Sequence, residues 1–324
     1  MNELAQLVDD LCSRSTGDDL WRNLEDTGLA RLTASQDAGP AEAAIVLCGL
    51  AKHAAAVPIS ETELGAWLAG RAGVAVPDTG PLTVAIANAT ERDGRITGTA
   101  REVPWPGGTV VLAARTTEAL HVAVLDDAQV AEGRNLAGEP RGSLAFDVAA
   151  GETSAVDGDV ADELTRRGAW ARCNQIVGAL DAACDLTVSH TGERVQFGRT
   201  LSKFQAVQHA LAAMAGEIER ARAATALAVA AAADYGFEHP ATDYAVTAAK
   251  VAVGRAVDPV TTIAHQLHGA IGVTIEHRLW LSTMRARSWV DEFGTTGHYA
   301  RRLGRTAMAA ENPWDVVVSY PTLR

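Results

Sequence analysis

The chain has 324 residues, of which 48% are hydrophobic and only 5% are aromatic, and its formal net charge is -12. This length allows more than one domain, and the apolar content is sufficient for a buried core. The acidic balance argues against a general role in binding nucleic acid or an anionic membrane surface, because both need a basic face on the protein.

The first 75 residues predict helices. Residues 41–56 form an alanine-rich, mostly apolar segment of helical character. The stretch Ser60-Glu-Thr-Glu63 has the pattern of a capping box, and Gly70 or Gly73 is placed to end the helix that follows. The sequence therefore predicts an N-terminal helical domain over residues 1–75.

Short runs of β-type residues follow, and they predict a small antiparallel β domain over residues 76–156. The runs are 82–86, 109–113 and 120–125. Turn signals lie between them at Asp93-Gly94, Pro106-Gly-Gly108 and Asp126-Asp127.

After Asp157 the pattern is again helical to about Ala310, which predicts a C-terminal helical bundle in a domain over residues 157–324. The predicted helices cover 158–190, 203–234, 240–255 and 258–270. Asp258-Pro259 is read as the start of the last of these, because an N-cap acceptor precedes a proline.

Several kinds of site are missing from the sequence. No glycine-rich phosphate loop follows a predicted strand, and no Gly-x-Ser-x-Gly motif is present. His265 and His268 lie three positions apart on one predicted helix, but no third residue with matching spacing completes a metal site, so we expect no metal.

The remaining sequence signals predict a cytoplasmic protein. The N-terminal segment lacks the basic region and apolar run of a signal peptide, and no apolar stretch is long enough to span a membrane. The four cysteines are scattered, which is typical of reduced thiols.

Two stretches combine residues that suit ligand binding. In Glu193–His209, arginines and a phenylalanine surround a glycine turn just before a helix, which is a ready site for an anion. The same pattern also describes a helix-loop-helix with solvated arginines. In Ala264–His277, Gly269 and Gly272 allow close approach of another backbone or a ligand, although they equally end a helix.

Together and in this order, these stretches resemble the acyl-CoA dehydrogenase family. Arg194–Arg199 with Phe204–Gln208 is similar to the family's first bundle signature, and Gln266–Gly272 followed by Glu276 is similar to its second. The resemblance spans nearly the whole chain. It implies an α+β, acyl-CoA dehydrogenase-like fold with an N-terminal helical domain, a central antiparallel β domain and a C-terminal four-helix bundle.

The resemblance also implies a flavoprotein that binds FAD and acts on an acyl-CoA substrate, with an electron-transfer acceptor as a further partner. In the family, a base removes the α-proton while the β-hydrogen leaves as hydride. Matching positions reach across a dimer interface to the adenine and pyrophosphate half of the neighbouring subunit's FAD. Here they are Arg194, Gln196, Phe197, Gln205, Gln266 and Gly269, and Thr295 matches a further cofactor-contacting position.

The positions that serve a subunit's own flavin ring are not recognisable. The family's Thr-Glu-Pro loop followed by Gly-Ser-Asp has no counterpart, because residues 86–91 lead straight into Asp93-Gly94. The later tryptophan-threonine contact to the ring is also missing around Pro104–Gly108.

The expected catalytic base is also missing. Counting from Gly272, the family's glutamate falls at Phe293, and the alternative base position falls at Gly168. Glu292 is the candidate base if its loop rotates by about one residue, with Asp291 behind it; otherwise both are solvated acids at a helix end.

This combination favours the smaller subunit of a heteromeric acyl-CoA dehydrogenase, an arrangement found among bacterial members acting on bulky steroid-CoA substrates. The implied partner is a homologous larger subunit, as in a heterotetramer. Two alternatives remain open: a self-sufficient homodimeric dehydrogenase with Glu292 as base, and a flavin-dependent monooxygenase on the same fold. Either dehydrogenase would act in lipid metabolism, in the degradation of fatty acids or steroids. The monooxygenase would instead consume oxygen.

Overall fold

The computed structural model describes residues 3–34, 38–125 and 128–318. The chain begins with four helices, and a short 3-10 segment at Leu29–Ala34 lies between the second and the third. The helices are α1 (Glu3–Arg14), α2 (Gly17–Asp26), α3 (Pro40–Lys52) and α4 (Ile59–Ala72).

The start of α4 differs from the sequence prediction. The helix begins at Ile59, so that Ser60 lies inside it, and no described side chain caps its first turn. The carboxylate of Glu63 instead accepts hydrogen bonds from the backbone N–H and the hydroxyl of Thr33. The capping-box prediction is therefore wrong, because a tertiary partner takes the carboxylate. The C-terminal end agrees with the sequence, since Gly73 ends the helix in a left-handed conformation with φ 65°.

Seven strands form one sheet in the order β5-β6-β2-β1-β3-β4-β7. The strands are β1 (Leu82–Arg92), β2 (Arg95–Pro104), β3 (Thr109–Arg115), β4 (Leu120–Leu125), β5 (Val130–Arg134), β6 (Pro140–Ala149) and β7 (Ser154–Val156). All neighbours pair antiparallel except β1 and β3, which are parallel from Leu82↔Thr109 to Asn88↔Arg115. The sheet is thus mixed rather than wholly antiparallel, because β2 turns back on one side of β1 and the chain then crosses to the other side.

The sheet is built on small and β-branched side chains. Residues 110–114 of β3 are all buried, as expected of a central strand covered on both faces. The turn between β1 and β2 is the predicted one: Asp93 and Gly94 have φ of 53° and 73°, the two left-handed residues of a tight hairpin turn. The predicted turn at Asp126-Asp127 lies outside the described residues.

The C-terminal region contains long helices and one small hairpin. Its elements are α5 (Gly158–Glu193), β8 (Val195–Gln196), β9 (Arg199–Thr200), α6 (Gln205–Tyr235), α7 (Pro240–His268), α8 (Leu279–Trp289), α9 (Thr296–Ala309) and α10 (Pro313–Val318). Helix α6 packs along α7, and α7 also packs against α9. The layout of helices, strands and helices agrees with the sequence prediction.

Helix α7 corrects one prediction. The sequence predicted two helices separated before Asp258-Pro259, but α7 runs without a break from Pro240 to His268 with Pro259 inside it. A proline in a helix interior costs about 3 kcal/mol. Burial of neighbouring side chains on the same helix, including Val257 and Val260, offsets this cost.

The chain groups into two compact units. The helical unit comprises Met1–Asp9, Ala44–Ala55 and Ala169–Arg324, and the sheet unit comprises Asp10–Ala43 and Ala56–Gly168. The division into three domains at residues 75 and 156 remains a prediction. Across the described ranges, no helix combines the length and the apolar character needed to cross a membrane.

Candidate functional site

The hairpin after α5 presents an aromatic side chain to solvent. Strands β8 and β9 pair through Val195↔Thr200 and Gln196↔Arg199. Phe197 and Gly198 form the turn with φ of 51° and 77°. This left-handed conformation is uncommon for a residue with a side chain, and it leaves Phe197 92% exposed.

Short contacts fix this hairpin between α5 and α6. The backbone N–H of Arg194 donates to the carbonyl of His190 on α5, and that of Leu201 donates to the carbonyl of Arg194, both at 2.9 Å. The guanidinium of Arg199 lies 4.1 Å from the ring centroid of Phe204, the residue before α6. The structure thereby brings together four predicted cofactor residues, all of them exposed: Arg194, Gln196, Phe197 and Gln205.

A cluster of three histidines connects this end of α5 to the end of α7. The rings of His190 and His268 stack with centroids 4.4 Å apart, and His277 lies edge-on to His268 at 4.8 Å. Gly269 ends α7 with φ 66°, and Gln266 lies exposed one turn before it. Gln266 and Gly269 therefore join the other four predicted residues at one end of the helical unit.

Burial and the neighbouring positive groups lower the pKa of two of these histidines. For His268, burial is the largest cause, and His190, His277 and His265 add to it. For His190, burial again comes first, followed by His277 and Arg194. The lowered pKa favours the neutral form of His190 and His268, mainly because burial disfavours a charged ring.

Apolar side chains surround the same end of the unit. They are Val195, Ile271, Val273 and Ile275, with exposed fractions of 56%, 49%, 65% and 78%. Together with Phe197 they make an exposed apolar surface, which is typical of a surface that another molecule covers.

Glu292 is engaged in a buried ion pair. Its carboxylate accepts from Nε of Arg172 at 2.6 Å, and the side chain of Arg172 on α5 is only 2% exposed. The same guanidinium donates to the side-chain carbonyl of Gln175 at 2.5 Å and lies 5.5 Å from the ring centroid of Trp289. Glu292 is thus not the solvated acid that the sequence also allowed, and protonating it would neutralise the ion pair.

The backbone of the same loop is held at several points. The ammonium of Lys250, which is 2% exposed, donates to the carbonyls of Val290 and Glu292 at 2.8 and 2.9 Å. Tyr299 donates its hydroxyl proton to the carbonyl of Phe293 at 2.8 Å. Burial lowers the pKa of Lys250, and the nearby acidic groups oppose that shift. These contacts hold residues 290–293 in one register.

Phe293, at the family's base position, adopts φ 55°, and the following Gly294 has φ 109°. A Cβ on Gly294 would lie 2.8 Å from the ring of Tyr299, so glycine is needed there for both reasons. Thr295 then caps α9 by accepting from the N–H of His298 at 3.1 Å. Lys250, which contacts the loop of Glu292, precedes Gln266 by sixteen positions on α7, or about 24 Å along the helix. Thr295, at the end of that loop, is therefore distant from the other six predicted cofactor residues.

Sequence reasoning missed Arg172 and Lys250. Arg172 lies far from Glu292 in the chain, and no spacing rule connects the two. Lys250 left a signal, since it is a single charge in the apolar run Ala248-Ala-Lys-Val-Ala252 of a predicted helix. A charge in such a run is buried only when it is paired.

The other reactive side chains have ordinary partners. Nδ1 of His268 lies 2.8 Å from the carbonyl of Ala264, and Nε2 of His265 lies 2.9 Å from the hydroxyl of Thr283. Across the described ranges, no group of three histidine, cysteine or acidic residues is arranged to hold a metal ion. Burial raises the pKa of the Cys173 thiol to about 12, which makes it a poor nucleophile.

Comparison with known proteins adds to this geometry. Residues 158–307 match the family model described as the acyl-CoA dehydrogenase C-terminal domain. The chain is also similar to acyl-CoA dehydrogenase IpdE2 of Mycolicibacterium smegmatis, with 34% identity over 39% of this chain and 38% of that protein. The match thus spans less than two fifths of the relative's length.

Two solved structures resemble nearly the whole chain. The ChsE4-ChsE5 complex from Mycobacterium tuberculosis superposes with a TM-score of 0.81 at 23% identity, covering 95% of this chain and 97% of the other. A structure described as the Tcur3481-Tcur3483 steroid ACAD superposes with a TM-score of 0.82 at 24% identity, covering 94% and 96%. At these identities the likeness shows the fold, and it confirms the predicted fold class.

Proposed function

Residues 158–307 match the C-terminal domain of the acyl-CoA dehydrogenase family, and nearly the whole chain has the fold of a structure described as a steroid ACAD. From this we propose that the chain is a member of the family and the smaller subunit of a heteromeric acyl-CoA dehydrogenase. In this role it donates adenine and pyrophosphate contacts to the FAD of a homologous larger subunit. The reaction is the α,β-desaturation of an acyl-CoA thioester, for which bound FAD supplies the hydride acceptor.

The observation that carries the proposal is the outward exposure of the six predicted cofactor residues at one end of the helical unit. An adenine ring needs a flat apolar surface, and Phe197 offers one that is 92% exposed. A pyrophosphate needs guanidinium groups and backbone N–H groups, which Arg194 and the first turn of α6 offer beside it. These residues fit that half of FAD, approached from outside the chain.

The chain's own flavin-ring site is the second support. Strand β1 continues to Arg92 and turns directly at Asp93-Gly94 into β2, with Arg92↔Arg95 as the last pair. This leaves no loop of the kind that the family uses to hold the ring. A partner that keeps that loop and a glutamate base would complete the site.

The tethered loop at Glu292 favours this role over a self-sufficient homodimer. For Glu292 to act as base, it would have to neutralise its ion pair with Arg172, and the loop would have to move one residue against the contacts of Lys250 and Tyr299. In the proposed role Glu292 and Arg172 hold the protein together, and the proton is taken by the partner's base. Asp291 is exposed and stays a second candidate for the homodimer alone.

The descriptions of the two similar structures suggest a substrate class, and we extend the proposal to it. One is described as a steroid acyl-CoA dehydrogenase and another as a two-chain complex. We therefore propose a fused-ring acyl-CoA substrate. In keeping with the sequence signals and the family resemblance, we also propose a cytoplasmic enzyme that is reoxidised by an electron-transfer acceptor. A flavin-dependent monooxygenase, the other alternative, would instead consume oxygen with reduced flavin and without an acyl-CoA.

The test is the FAD content of the chain expressed alone and with a larger homologue that retains the flavin loop and a glutamate base. We expect a colourless chain alone and one FAD per heteromeric pair. In the complex, Arg194→Gln and Phe197→Ala each lower FAD retention, while Arg220→Gln, an exposed arginine on α6, does not. The opposite result would be one FAD per chain in the isolated protein, with flavin that acyl-CoA bleaches in the unaltered chain but not in Glu292→Gln. That result would identify a complete homodimeric enzyme.

A further inference from the structure

A cavity of about 750 Å³ opens within the sheet unit. Its size falls in the range of about 300–1,000 Å³ that is typical of small-molecule sites. It is formed by α2, residues 56–58, Pro81, the loop 105–108, β5 and β6. The proposed function makes no use of it.

The walls of the cavity are apolar and rigid. Two tryptophans, Trp21 and Trp105, line it together with four prolines: Pro58, Pro81, Pro106 and Pro140. Prolines and indoles have few rotatable bonds, so these walls lose little conformational entropy when a ligand is bound. Flat indole faces favour ring systems over flexible chains.

The loop that carries Trp105 is held in an uncommon backbone conformation. Trp105 and Glu102 have φ of 49° and 54°, although both have side chains. Trp105 donates its backbone N–H to the carbonyl of Pro140 at 3.1 Å, and a Cβ on Gly108 would lie 2.5 Å from the carbonyl oxygen of Pro81. Backbone strain of this kind persists where surrounding contacts impose it, and it is concentrated at ligand sites.

Charged side chains form the polar part of the lining. Arg22, Arg134 and Arg141 line the cavity against Asp18 and Glu132. Arg141 is 3% exposed and already faces the carboxylate of Glu139 at 3.6 Å, so its charge is compensated within the protein. Arg134 is exposed at the rim and donates one N–H to the carbonyl of Gly138 at 2.8 Å. Its guanidinium has further donors for an anion.

From the aromatic walls, the rigid loop and the rim charge, we propose that this cavity binds an apolar ring-bearing molecule with one anionic group. The ring lies between Trp21 and Trp105, and the anion lies at Arg134. This proposal stands whether or not the chain shares a partner's FAD, because it rests on the sheet unit alone.

The test uses the full chain labelled with 5-fluorotryptophan and followed by fluorine NMR. The probe is 1-anilinonaphthalene-8-sulfonate, and N-phenyl-1-naphthylamine serves as its uncharged analogue. Resonances are assigned by single Trp→Phe substitutions. We expect saturable shifts of Trp21 and Trp105, and none for Trp170 and Trp289, which are buried in the helical unit.

Two matched pairs of variants sharpen the test. A Cβ on Gly107, which lines the cavity, meets no atom within 4 Å, so the fold accommodates a side chain there. We expect Gly107→Leu to narrow the cavity and to weaken binding of both probes by about tenfold or more. Gly151→Leu, equally free of contacts but outside the cavity, leaves binding unchanged. Arg134→Gln weakens only the sulfonate probe, by about threefold, as expected for an exposed ion pair. Arg95→Gln, on the same sheet, weakens neither.

The proposal is overturned by shifts that appear at Trp170 and Trp289 instead, or by unchanged affinity in Gly107→Leu. Equal affinity of the unaltered chain for the two probes would overturn its anionic part. Loss of binding in Gly151→Leu would equally overturn it, because binding would then not depend on the cavity.

Discussion

The ion pair between Arg172 and Glu292 gives the most demanding prediction, because the two readings of Glu292 expect opposite results. Removing one partner of a fully buried pair costs about 3–5 kcal/mol, whereas an exposed pair contributes about 0.2–1 kcal/mol. The side chain of Arg172 is 2% exposed and that of Glu292 is 24% exposed. Because Arg172 keeps Gln175 as an acceptor, we expect Glu292→Gln to destabilise the protein by about 2–3 kcal/mol.

The assay is thermal and urea unfolding of the full chain. A loss of this size lowers the melting temperature by about 4–12 °C for a unit of this length. Asp291→Asn is the matched control, since this neighbouring carboxylate is exposed, and it should change stability by less than about 0.5 kcal/mol. Combining Arg172→Met with Glu292→Gln should destabilise by about 1–2 kcal/mol less than the sum of the two single changes.

The reasoning is refuted if Glu292→Gln unfolds at the same temperature and urea concentration as the unaltered chain. If the same variant also stops acyl-CoA from bleaching bound flavin, Glu292 is the base of a self-sufficient enzyme. Unchanged bleaching with lowered stability supports the structural role.

Three further predictions follow from other contacts. Lys250→Met leaves the carbonyls of residues 290 and 292 without their donor and should destabilise by about 2–4 kcal/mol in urea unfolding. Because burial lowers the pKa of His268 below its ordinary value of 6.5, the unfolded chain takes the proton first; stability is therefore complete above pH 6.5 and falls as the pH drops below it. His268→Gln should flatten that slope in urea midpoints between pH 7.5 and 5.5, and an unchanged slope would contradict this. A Cβ on Gly178 would lie 2.1 Å from the carbonyl oxygen of Cys48, so Gly178→Ala should lower the melting temperature strongly, whereas Gly216→Ala, in open space on α6, should raise stability by about 0.5–1 kcal/mol.

The sequence predicted elements well wherever the pattern was local. The strand at residues 120–125 and the Asp93-Gly94 turn follow from β-type runs and turn residues. Strand β1 was predicted only to Ile86, because its last residues are polar and are ordered by pairing with β2 rather than by burial. The break at Pro259 was wrong because tertiary burial of α7 outweighs a local proline signal.

The candidate site was predictable in one part only. The motifs around Phe197 and Gln266 could be read from residues that stand close together in the chain. The partner of Glu292 could not, because Arg172 is brought to it only by the packing of α5 against the loop after α8. The cavity of the sheet unit was equally out of reach, since six separate segments line it.

The two-residue turn between β1 and β2 has an evolutionary consequence. A chain that has lost one catalytic side chain can regain it by a single nucleotide change. Here Asp93-Gly94 stands where the resemblance places the flavin-ring loop, and the pairs from Ala89↔Gly98 to Arg92↔Arg95 lead directly into this turn. Restoring the loop requires an insertion of several residues that also disrupts these pairs. Reversion would thus pass through less stable intermediates, so in the proposed role the dependence on a partner's FAD would be difficult to reverse.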